Sequence, residues 1–371
     1  MSDNDLLALT RQVLGAAFVL GVLFGAIAQR THFCTMGALA DVVHSGDFTR
    51  LRMWALAAAV AMLGFNTLVA WGGVQAANTL YAAPRLMWLS HAVGGLMFGF
   101  GMVLASGCGN KTLVRLGGGN LKSLLVLVVM GVSALATLRG ITGVARSTLL
   151  DPVVVSLPAG QDLPSLLAGA SGLGVPLLAL GLGAALALAL AAWALADASA
   201  READALLGGV GSGLLVVALW WVSSHWGFVA EHPQTLEPAF LATNSRRMES
   251  FSFVAPVGYG LDWLMMFSDK NNVVTLGVAS TLGVVCGSAV VALATRRFRW
   301  EGFGGAADTA QHIVGAVLMG VGGVTALGCT IGQGLSGVST LSLGSFIAVA
   351  AIVAGGLAAL HWQVWWLERQ A

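Results

Sequence analysis

Ten long apolar runs constrain the fold of this chain more than any other feature of its sequence. A helix needs about 20 predominantly apolar residues to cross a lipid bilayer. In the hydrocarbon core every backbone N–H and C=O must be bonded within the protein, which only helices and closed barrels achieve. The length of the runs therefore predicts an all-α polytopic membrane protein. They fall at residues 13–28, 54–73, 86–105, 121–138, 175–195, 206–226, 253–267, 273–294, 312–326 and 343–362.

Several of these runs are short or rich in glycine, so not all of them need to cross the membrane. We expect about nine transmembrane helices, with the remaining segments entering the bilayer without crossing it. Glycine supplies 50 of the 371 residues, which favours close helix packing in lipid. We assign residues 1–371 to a single integral membrane domain.

The low charge of the chain supports a lipid environment and removes several classes of function. Charged residues make up 9% of the sequence, whereas soluble domains carry about 25%. The net charge of +1 gives no indication of a nucleic-acid partner. No phosphate-binding glycine loop, zinc-protease motif or serine-hydrolase motif occurs in the sequence. We therefore expect a protein that is not an enzyme and that needs no cofactor.

Four cysteines stand far apart in the chain, at Cys34, Cys108, Cys286 and Cys329. None belongs to a cysteine pair or a cysteine–histidine group with the spacing of a zinc site. We predict no bound metal and no required disulfide. Cys286 lies inside an apolar run, where cysteine is typically a small packing residue.

An internal repeat is the most informative pattern in the sequence. A shift of 221 residues places residues 91–108 on residues 312–329, and nine of these 18 positions are identical. Both copies end in a Gly-Cys pair. The same shift places Cys34 on Ala255, so the second half has lost one thiol.

A second repeat lies within the first half. A shift of 74 residues places the sequence GVLFG, which ends nine residues before Cys34, on GLMFG, which ends nine residues before Cys108. The chain therefore contains four related units, each a glycine-rich helix that leads to a loop. Three of the loops carry a cysteine, and the fourth carries Ala255.

Duplicated halves are common in transporters and often have opposite orientations in the membrane. Arg50 and Arg52 precede one span, and Arg296, Arg297 and Arg299 follow the equivalent span of the second half. The positive-inside rule places both clusters on the cytoplasmic side, which predicts inverted halves. The predicted boundaries are about 12–145 for the first half, about 146–246 for a connecting segment with extra helices, and about 247–366 for the second half.

Each cysteine loop places glycines beside a thiol at a point where a helix would otherwise continue. Glycine permits positive φ and a close approach of backbone to a ligand. Irregular backbone at membrane depth must be buried in protein or line a cavity. We therefore expect the loops to meet at a central pathway, where broken helices aim N-terminal amides at an anion. The predicted pathway residues are Cys34, Cys108 and Cys329.

The chemistry of a thiol favours a sulfur-containing substrate. A thiol is soft, polarizable and a weak hydrogen-bonding group, so it suits the terminal sulfur of thiosulfate better than a hard oxyanion. Several weak sites in series let an anion enter and leave. The residues predicted to attract the anion and to form the loop backbone around it are Arg30, Lys111, Arg115, Gly107, Gly109, Gly328 and Gln333.

Two other functions use the same residues. A thiolate can accept sulfur covalently, so a membrane-embedded sulfur-transfer or sulfur-sensing protein with persulfide chemistry is the alternative. An apolar environment favours the thiol over the thiolate and disfavours this chemistry. A membrane scaffold that transports nothing is a third interpretation, in which the cysteines only pack.

At these loops the sequence resembles the YeeE/YedE family of sulfur-transport membrane proteins. The resemblance rests on GVLFGAIAQRTHFC, FGFGMVLASGCGNKTLVRLGGG and GVGGVTALGCTIGQGLSG, and it covers residues from about 15 to about 356. It implies an hourglass-shaped permease in a bacterial inner membrane, with four loops that reach the centre and with Cys34, Cys108 and Cys329 on the pathway. It also implies thiosulfate or a related sulfur anion as substrate. Members of the family often work beside a cytoplasmic TusA-like sulfurtransferase.

Overall fold

Helices form nearly all of the regular structure. The computed structural model describes residues 3–233, 235–269 and 272–369. Within these ranges eight helical segments are long and apolar enough to cross a membrane, against about nine predicted. The predicted all-α polytopic fold class is confirmed. The predicted domain of residues 1–371 also includes positions 1–2, 234, 270–271 and 370–371, which lie outside the described residues.

One arrangement recurs four times in the described chain: a long helix, a break, a short helix and a second long helix. The α-helices are α1 (Asp3–Thr31), α2 (Thr35–Ser45), α3 (Thr49–Ala70), α4 (Trp88–Leu104), α5 (Gly109–Gly117), α6 (Leu121–Arg139), α7 (Ile141–Leu149), α8 (Leu163–Ser171), α9 (Val175–Leu195), α10 (Ala203–Leu206), α11 (Ser212–Trp221), α12 (Ala255–Met265), α13 (Leu276–Ala294), α14 (Ala306–Thr325) and α15 (Leu343–Glu368). The four units are α1–α3, α4–α6, α10–α13 and α14–α15.

Short π-helical and 3₁₀ segments complete the units. Leu207–Gly211 and Val222–Trp226 are π-helical and extend α10 and α11 into one continuous helical segment. Gly332–Gly337, also π-helical, is the short helix of the last unit. The connecting elements are 3₁₀ helices at Ala76–Asn78 and Ser199–Arg201, and the antiparallel strand pairs β1 (Arg85–Leu86) with β2 (Val155–Ser156) and β3 (Phe228–Val229) with β4 (Ala239–Phe240).

Side-chain caps set where several helices begin. Asn120 caps α6 by accepting a hydrogen bond from the Ser123 N–H, and Thr275 caps α13 by accepting one from the Val278 N–H. Such a cap satisfies one of the N–H groups that a helix start leaves unpaired. At the end of α2, Gly46 adopts the left-handed conformation that terminates many helices.

Glycines bring α4 and α14 into direct backbone contact. A methyl group added to Gly94 would collide with the Gly322 backbone, and one added to Gly101 would collide with the Gly315 backbone. The 221-residue shift relates Gly94 to Gly315 and Gly101 to Gly322, so the contact is reciprocal, as across a two-fold axis. Residue numbers rise along one helix as they fall along the other. The two helices are therefore antiparallel, as inverted halves require.

The remaining long helices interlock the units in pairs. α13 packs along α1, and α15 packs along α4. Gly21 and Gly25 of α1 lie against the backbone of α13, and Gly99 of α4 lies against the backbone of α15. At each of the three positions an added methyl group would collide with that backbone. Lipid supplies no hydrophobic force between helices, so close packing of this kind holds the bundle together.

Replacing Gly322 with alanine is expected to destabilise the fold, because the added methyl group would collide with backbone atoms of Gly94 and Phe98. Overpacking of this kind costs roughly 1–3 kcal/mol. The melting temperature of the detergent-solubilised protein should fall by several degrees, as measured by size-exclusion recovery after heating.

Gly181 provides the matched control, because it lies within α9 and a methyl group added there meets nothing within 4 Å. The Gly181→Ala protein should melt at the wild-type temperature or slightly above it, since alanine favours a helix more than glycine does. Equal melting temperatures for the two variants would contradict the packing role of Gly322.

Candidate functional site

Each of the three predicted cysteines lies at the break between a long helix and the short helix that follows. Cys34 is the N-cap of α2, and Cys108 is the N-cap of α5. Cys329 lies between α14 and the π-helical segment Gly332–Gly337. The three residues are 5%, 0% and 0% exposed, respectively. The Gly37 N–H donates to Cys34 Sγ at 3.3 Å, and the Gly332 N–H donates to Cys329 Sγ at 3.4 Å.

The same backbone distortion precedes each cysteine. His32, Ser106 and Leu327 have φ values of 55°, 55° and 58°, and each stands two positions before a cysteine. Positive φ is uncommon for residues other than glycine and costs roughly 1–3 kcal/mol. None of these left-handed positions is a glycine. Gly107 and Gly328, which follow these residues, instead donate backbone hydrogen bonds of 2.8 Å that close the ends of α4 and α14.

The loops bring the three cysteines to one buried centre, which we call the thiol centre. The Cys34 thiol lies against the Cys108 thiol. The Cys108 thiol also faces the hydroxyl of Thr330, the residue after Cys329. Residues of three different units are therefore neighbours in the interior of the bundle.

The fourth loop reaches the same centre without a cysteine. Ala255 begins α12 at the position where the repeat predicts a thiol. Earlier in that loop, the Ser252 side chain and the Phe253 N–H contact the Cys329 thiol. Sequence reasoning missed Ser252, because the repeat aligns this loop with the others only from Ala255 onward. The structure thus places a serine hydroxyl where the fourth thiol is absent.

Aromatic side chains seal the thiol centre from the surrounding helices. The ring centroids of Phe24 and Phe251 are 4.9 Å apart, those of Phe24 and Phe253 are 5.8 Å apart, and those of Phe24 and Phe33 are 6.3 Å apart. All four rings are buried. Phe24 of α1 therefore packs against the ring beside Cys34 and against two rings of the fourth loop.

A cavity of about 670 Å³ opens from one end of the bundle to Cys34. We call it the basic cavity, because five basic side chains and one acidic side chain, Glu301, line it. Asn120 donates a hydrogen bond of 2.6 Å to Glu301. A cleft with an excess of one charge attracts ions of the opposite sign. The basic side chains are Arg50, Lys111, Arg115, Arg297 and Arg299.

The structure brings two of the three predicted cations to this cavity. Lys111 and Arg115 line it, and Arg115 donates a hydrogen bond of 3.0 Å to the Ser106 carbonyl oxygen. Arg30 does not line it, since its exposed side chain pairs with Asp204 at 3.1 Å. Arg50, Arg297 and Arg299 were not predicted as site residues. The sequence could have identified them, because the positive-inside rule places the arginines near position 50 and those near position 297 on the same side of the membrane.

A second cavity, of about 130 Å³, lies beside Cys329. We call it the tyrosine cavity, because Tyr81 and Tyr259 line it together with Ser252, Glu249 and Gly328. Burial raises the pKa of the Tyr81 hydroxyl and that of the Glu249 carboxyl. Arg146, which pairs with Asp151 at 3.1 Å, also lines this cavity.

The two cavities lie at opposite ends of α6. Asn120, the N-cap of this 19-residue helix, lines the basic cavity, and Leu138 near its C-terminus lines the tyrosine cavity. A helix of that length spans about 28 Å at 1.5 Å per residue. The thiol centre touches one cavity through Cys34 and the other through Gly328, which precedes Cys329. The thiol centre therefore lies between two cavities at opposite ends of α6.

The remaining predicted residues lie within the loops. Gln333 is fully buried; its Nε2 donates to the Ala326 carbonyl oxygen at 2.5 Å, and its Oε1 has no hydrogen-bond partner. Gly109 is the first residue of α5 and lies against Phe253 of the fourth loop. Short helices that begin at the thiol centre direct their positive dipole ends toward it. Among the described residues, no group of three or more His, Cys, Asp or Glu side chains could hold a metal ion.

A sequence profile of the Sulphur transport family matches residues 30–358 of this chain. The chain belongs to the Sulphur transport family. The match includes all three cysteine loops and both cavities' lining helices.

Two relatives of this Sulphur transport protein align over nearly its whole length. This chain is 26% identical over 353 residues to the thiosulfate transporter TsuA of Escherichia coli K12, and the alignment covers 95% of this chain and 94% of the relative. This chain is 25% identical over 370 residues to the thiosulfate transporter TsuA of Spirochaeta thermophila, and the alignment covers 96% of this chain and 99% of the relative. This chain is also 33% identical over 112 residues to the probable transporter YedE of Salmonella typhimurium. That alignment covers 30% of this chain and 26% of the relative. These names agree with the prediction that the protein is not an enzyme.

The basic cavity should make Cys34 react faster with anionic than with cationic thiol reagents. The test uses purified protein in detergent, with Cys34 retained and the other three cysteines replaced by alanine. Negatively and positively charged methanethiosulfonates are compared by mass spectrometry. Lys111→Gln should slow the reaction with the anionic reagent by roughly fivefold, because one charge at about 4 Å contributes about 1 kcal/mol in water, and it should speed the reaction with the cationic reagent.

Arg30→Gln is the matched control, because Arg30 lies outside the basic cavity and is paired with Asp204. It should leave the anionic preference unchanged. A Cys34 thiol that reacts equally with both reagents, or that responds to Arg30 and not to Lys111, would disprove the electrostatic role of the cavity.

Proposed function

We propose that this member of the Sulphur transport family carries a sulfur-containing anion, specifically thiosulfate, through the thiol centre. The observation that carries the proposal is the position of three buried thiols between cavities at opposite ends of α6. Transporter substrate sites commonly lie midway through the bilayer, where helices are broken. The names of the two full-length relatives support thiosulfate as the substrate.

The basic cavity attracts the anion. Within the described part of the chain, Lys111, Arg297 and Arg299 form no salt bridge, so their charges are available to a mobile ion. Arg50 is paired with Asp41 at 2.6 Å and contributes less free charge. An excess of cations raises the local anion concentration before any contact with a thiol.

The thiols then pass the anion between the cavities. Cys34 borders the basic cavity, Cys108 lies against Cys34, and Gly328, which precedes Cys329, borders the tyrosine cavity. Each thiol offers a weak and polarizable contact to the terminal sulfur, and the starts of α2 and α5 offer backbone N–H groups to the negative charge. Weak sites in series hold the ion briefly and release it, as conduction requires.

Covalent sulfur transfer at the same cysteines makes a different prediction. A thiolate would attack the terminal sulfur, sulfite would leave, and a persulfide would remain on the cysteine. Cys108 and Cys329 are fully buried and do not line the basic cavity, and burial favours the neutral thiol, which does not attack. Non-covalent passage is therefore the proposal, and mass spectrometry of the protein after exposure to thiosulfate should find no stable persulfide.

The cellular setting of the proposal follows the relatives. Both full-length relatives are bacterial, and we propose a bacterial inner membrane as the location. A cytoplasmic TusA-like sulfurtransferase that receives the sulfur stays a prediction from the family resemblance. Trapping by such an acceptor would draw thiosulfate inward without direct energy coupling.

Thiosulfate uptake tests the proposal in cells that lack other uptake routes and receive thiosulfate as their sole sulfur source. Cys108→Ala and Cys329→Ala should each lower the initial uptake rate at least tenfold at equal expression. Each removes one of the weak sulfur contacts along a single path.

Cys286→Ala is the matched control, because this cysteine lies within α13, outside the thiol centre, and is exposed on the protein surface. It should support wild-type uptake. Unimpaired uptake by both Cys108→Ala and Cys329→Ala would refute the thiol pathway, and a persulfide on any of the three cysteines would favour covalent transfer instead.

A further inference from the structure

Cys34 and Cys108 differ in their access to solvent although their thiols lie against each other. Cys34 lines the basic cavity, whereas Cys108 is fully buried and does not line it. The loops that carry the two residues are also joined directly, because the Asn110 side chain donates a hydrogen bond of 3.4 Å to the Phe33 carbonyl oxygen. Phe33 precedes Cys34, and Asn110 lies two residues after Cys108. The pair is therefore a reachable thiol backed by a buried one.

The surroundings of Cys34 suit it to attack a sulfur atom. It is the N-cap of α2, and its Sγ accepts a hydrogen bond of 3.3 Å from the Gly37 N–H. Lys111 and Arg50 line the same cavity. The thiolate is the attacking form of a cysteine, and helix N-termini and neighbouring cations promote that form. Cys34 is therefore the thiol that a reagent in the basic cavity meets first.

The charge of the cavity selects the reagent. Five basic side chains and one acidic side chain line it, so anions are concentrated there and cations are repelled. A thiolate cleaves a disulfide bond fastest when the sulfur that leaves belongs to a strong acid. Tetrathionate, which is two thiosulfates joined through a disulfide bond, is a dianion and releases thiosulfate, a weak base. Thiosulfate itself would have to expel sulfite, which is a stronger base and a poorer leaving group.

We propose that Cys34 and Cys108 form a redox-active pair that anionic disulfides oxidise to a Cys34–Cys108 disulfide. In the first step the Cys34 sulfur bonds to one sulfur of the central bond of tetrathionate, that bond breaks, and one thiosulfate leaves. In the second step the Cys108 sulfur bonds to Cys34 Sγ, and the attached group leaves as a second thiosulfate. The pair loses two electrons, which reduce tetrathionate to two thiosulfates. The two thiol protons pass to water in the basic cavity.

The second step needs no further reactant, because the Cys108 thiol already lies against Cys34. Burial favours the neutral form of Cys108, which slows its attack. Contact between the reacting groups offsets this loss, since well-oriented intramolecular reactions reach effective concentrations of about 10⁵ M or more. The pair therefore closes before a second oxidant reaches Cys34.

The disulfide closes the proposed pathway, and this consequence rests on the proposed function. Once the two sulfur atoms are bonded to each other, neither offers its thiol to a passing anion. Uptake then responds to the oxidation state of the sulfur compounds on the side of the basic cavity. The oxidised dimer of the cargo stops transport until a reductant restores the two thiols.

Mass spectrometry of the purified Cys286→Ala protein after exposure to tetrathionate tests the pair directly. The substitution removes the exposed cysteine, and a peptide cross-linked through Cys34 and Cys108 should form. With Cys108→Ala added, Cys34 should keep a thiosulfate-derived adduct, because no second thiol displaces it. With Cys34→Ala added, Cys108 should stay unmodified. Cystamine, a disulfide with two positive charges, should react with Cys34 roughly tenfold more slowly than tetrathionate.

Two results contradict the redox pair. One is a stable adduct on Cys34 with no cross-link while Cys108 is present, and the other is a cross-link from Cys34 to Cys329 instead. Equal rates with cystamine and tetrathionate would contradict the selection of anions by the basic cavity.

Uptake into proteoliposomes separates this inference from the transport proposal. Tetrathionate-treated protein should take up thiosulfate roughly tenfold more slowly than reduced protein, and a phosphine reductant should restore the rate. A complete cross-link with unchanged uptake would leave the redox pair standing and refute passage along these thiols. Reduced protein that forms the cross-link but transports no thiosulfate would refute the proposed function alone.

Discussion

The fold depends on hydrogen bonds to the backbone N–H and C=O groups that are not in helices at membrane depth. Each unit breaks its helix next to the centre, and a break exposes N–H and C=O groups that lipid cannot bond. Hydrogen bonds from Gly107 and Gly328 close two of the helix ends, and the thiols of Cys34 and Cys329 accept N–H groups from the helices that follow. Residues of all four loops contact one another at the thiol centre, so the breaks bury one another's backbone in the interior of the bundle.

Close glycine packing makes this convergence possible. The reciprocal contacts of Gly94 with Gly322 and of Gly101 with Gly315 fix α4 and α14 antiparallel, so equivalent breaks approach the centre from opposite sides. The duplication is not symmetric in chemistry, however, because Ala255 stands where a fourth thiol would be. The two cavities differ as well: five basic side chains line the larger one on the Cys34 side, whereas Arg146 and Glu249 line the smaller one beside Gly328.

The sequence predicts the helical fold and the neighbourhood of the cysteines because both follow from hydropathy and from an exact repeat spacing. It does not predict side-chain direction around a helix. Gln29 lines the basic cavity, but Arg30, one residue later, points elsewhere, since each helical residue turns by about 100°. The left-handed backbone at Ser106 and Leu327 also cannot be predicted from the sequence, because tertiary packing imposes it on residues that do not favour it.

The most direct test of the account is the position of a heavy-atom analogue of the substrate in a crystal. Selenosulfate replaces the terminal sulfur of thiosulfate with selenium, and its anomalous signal locates that atom. We expect a selenium peak in van der Waals contact with the sulfur atoms of Cys34 and Cys108. A protein that transports selenosulfate but shows the selenium only at sites remote from these thiols would contradict it.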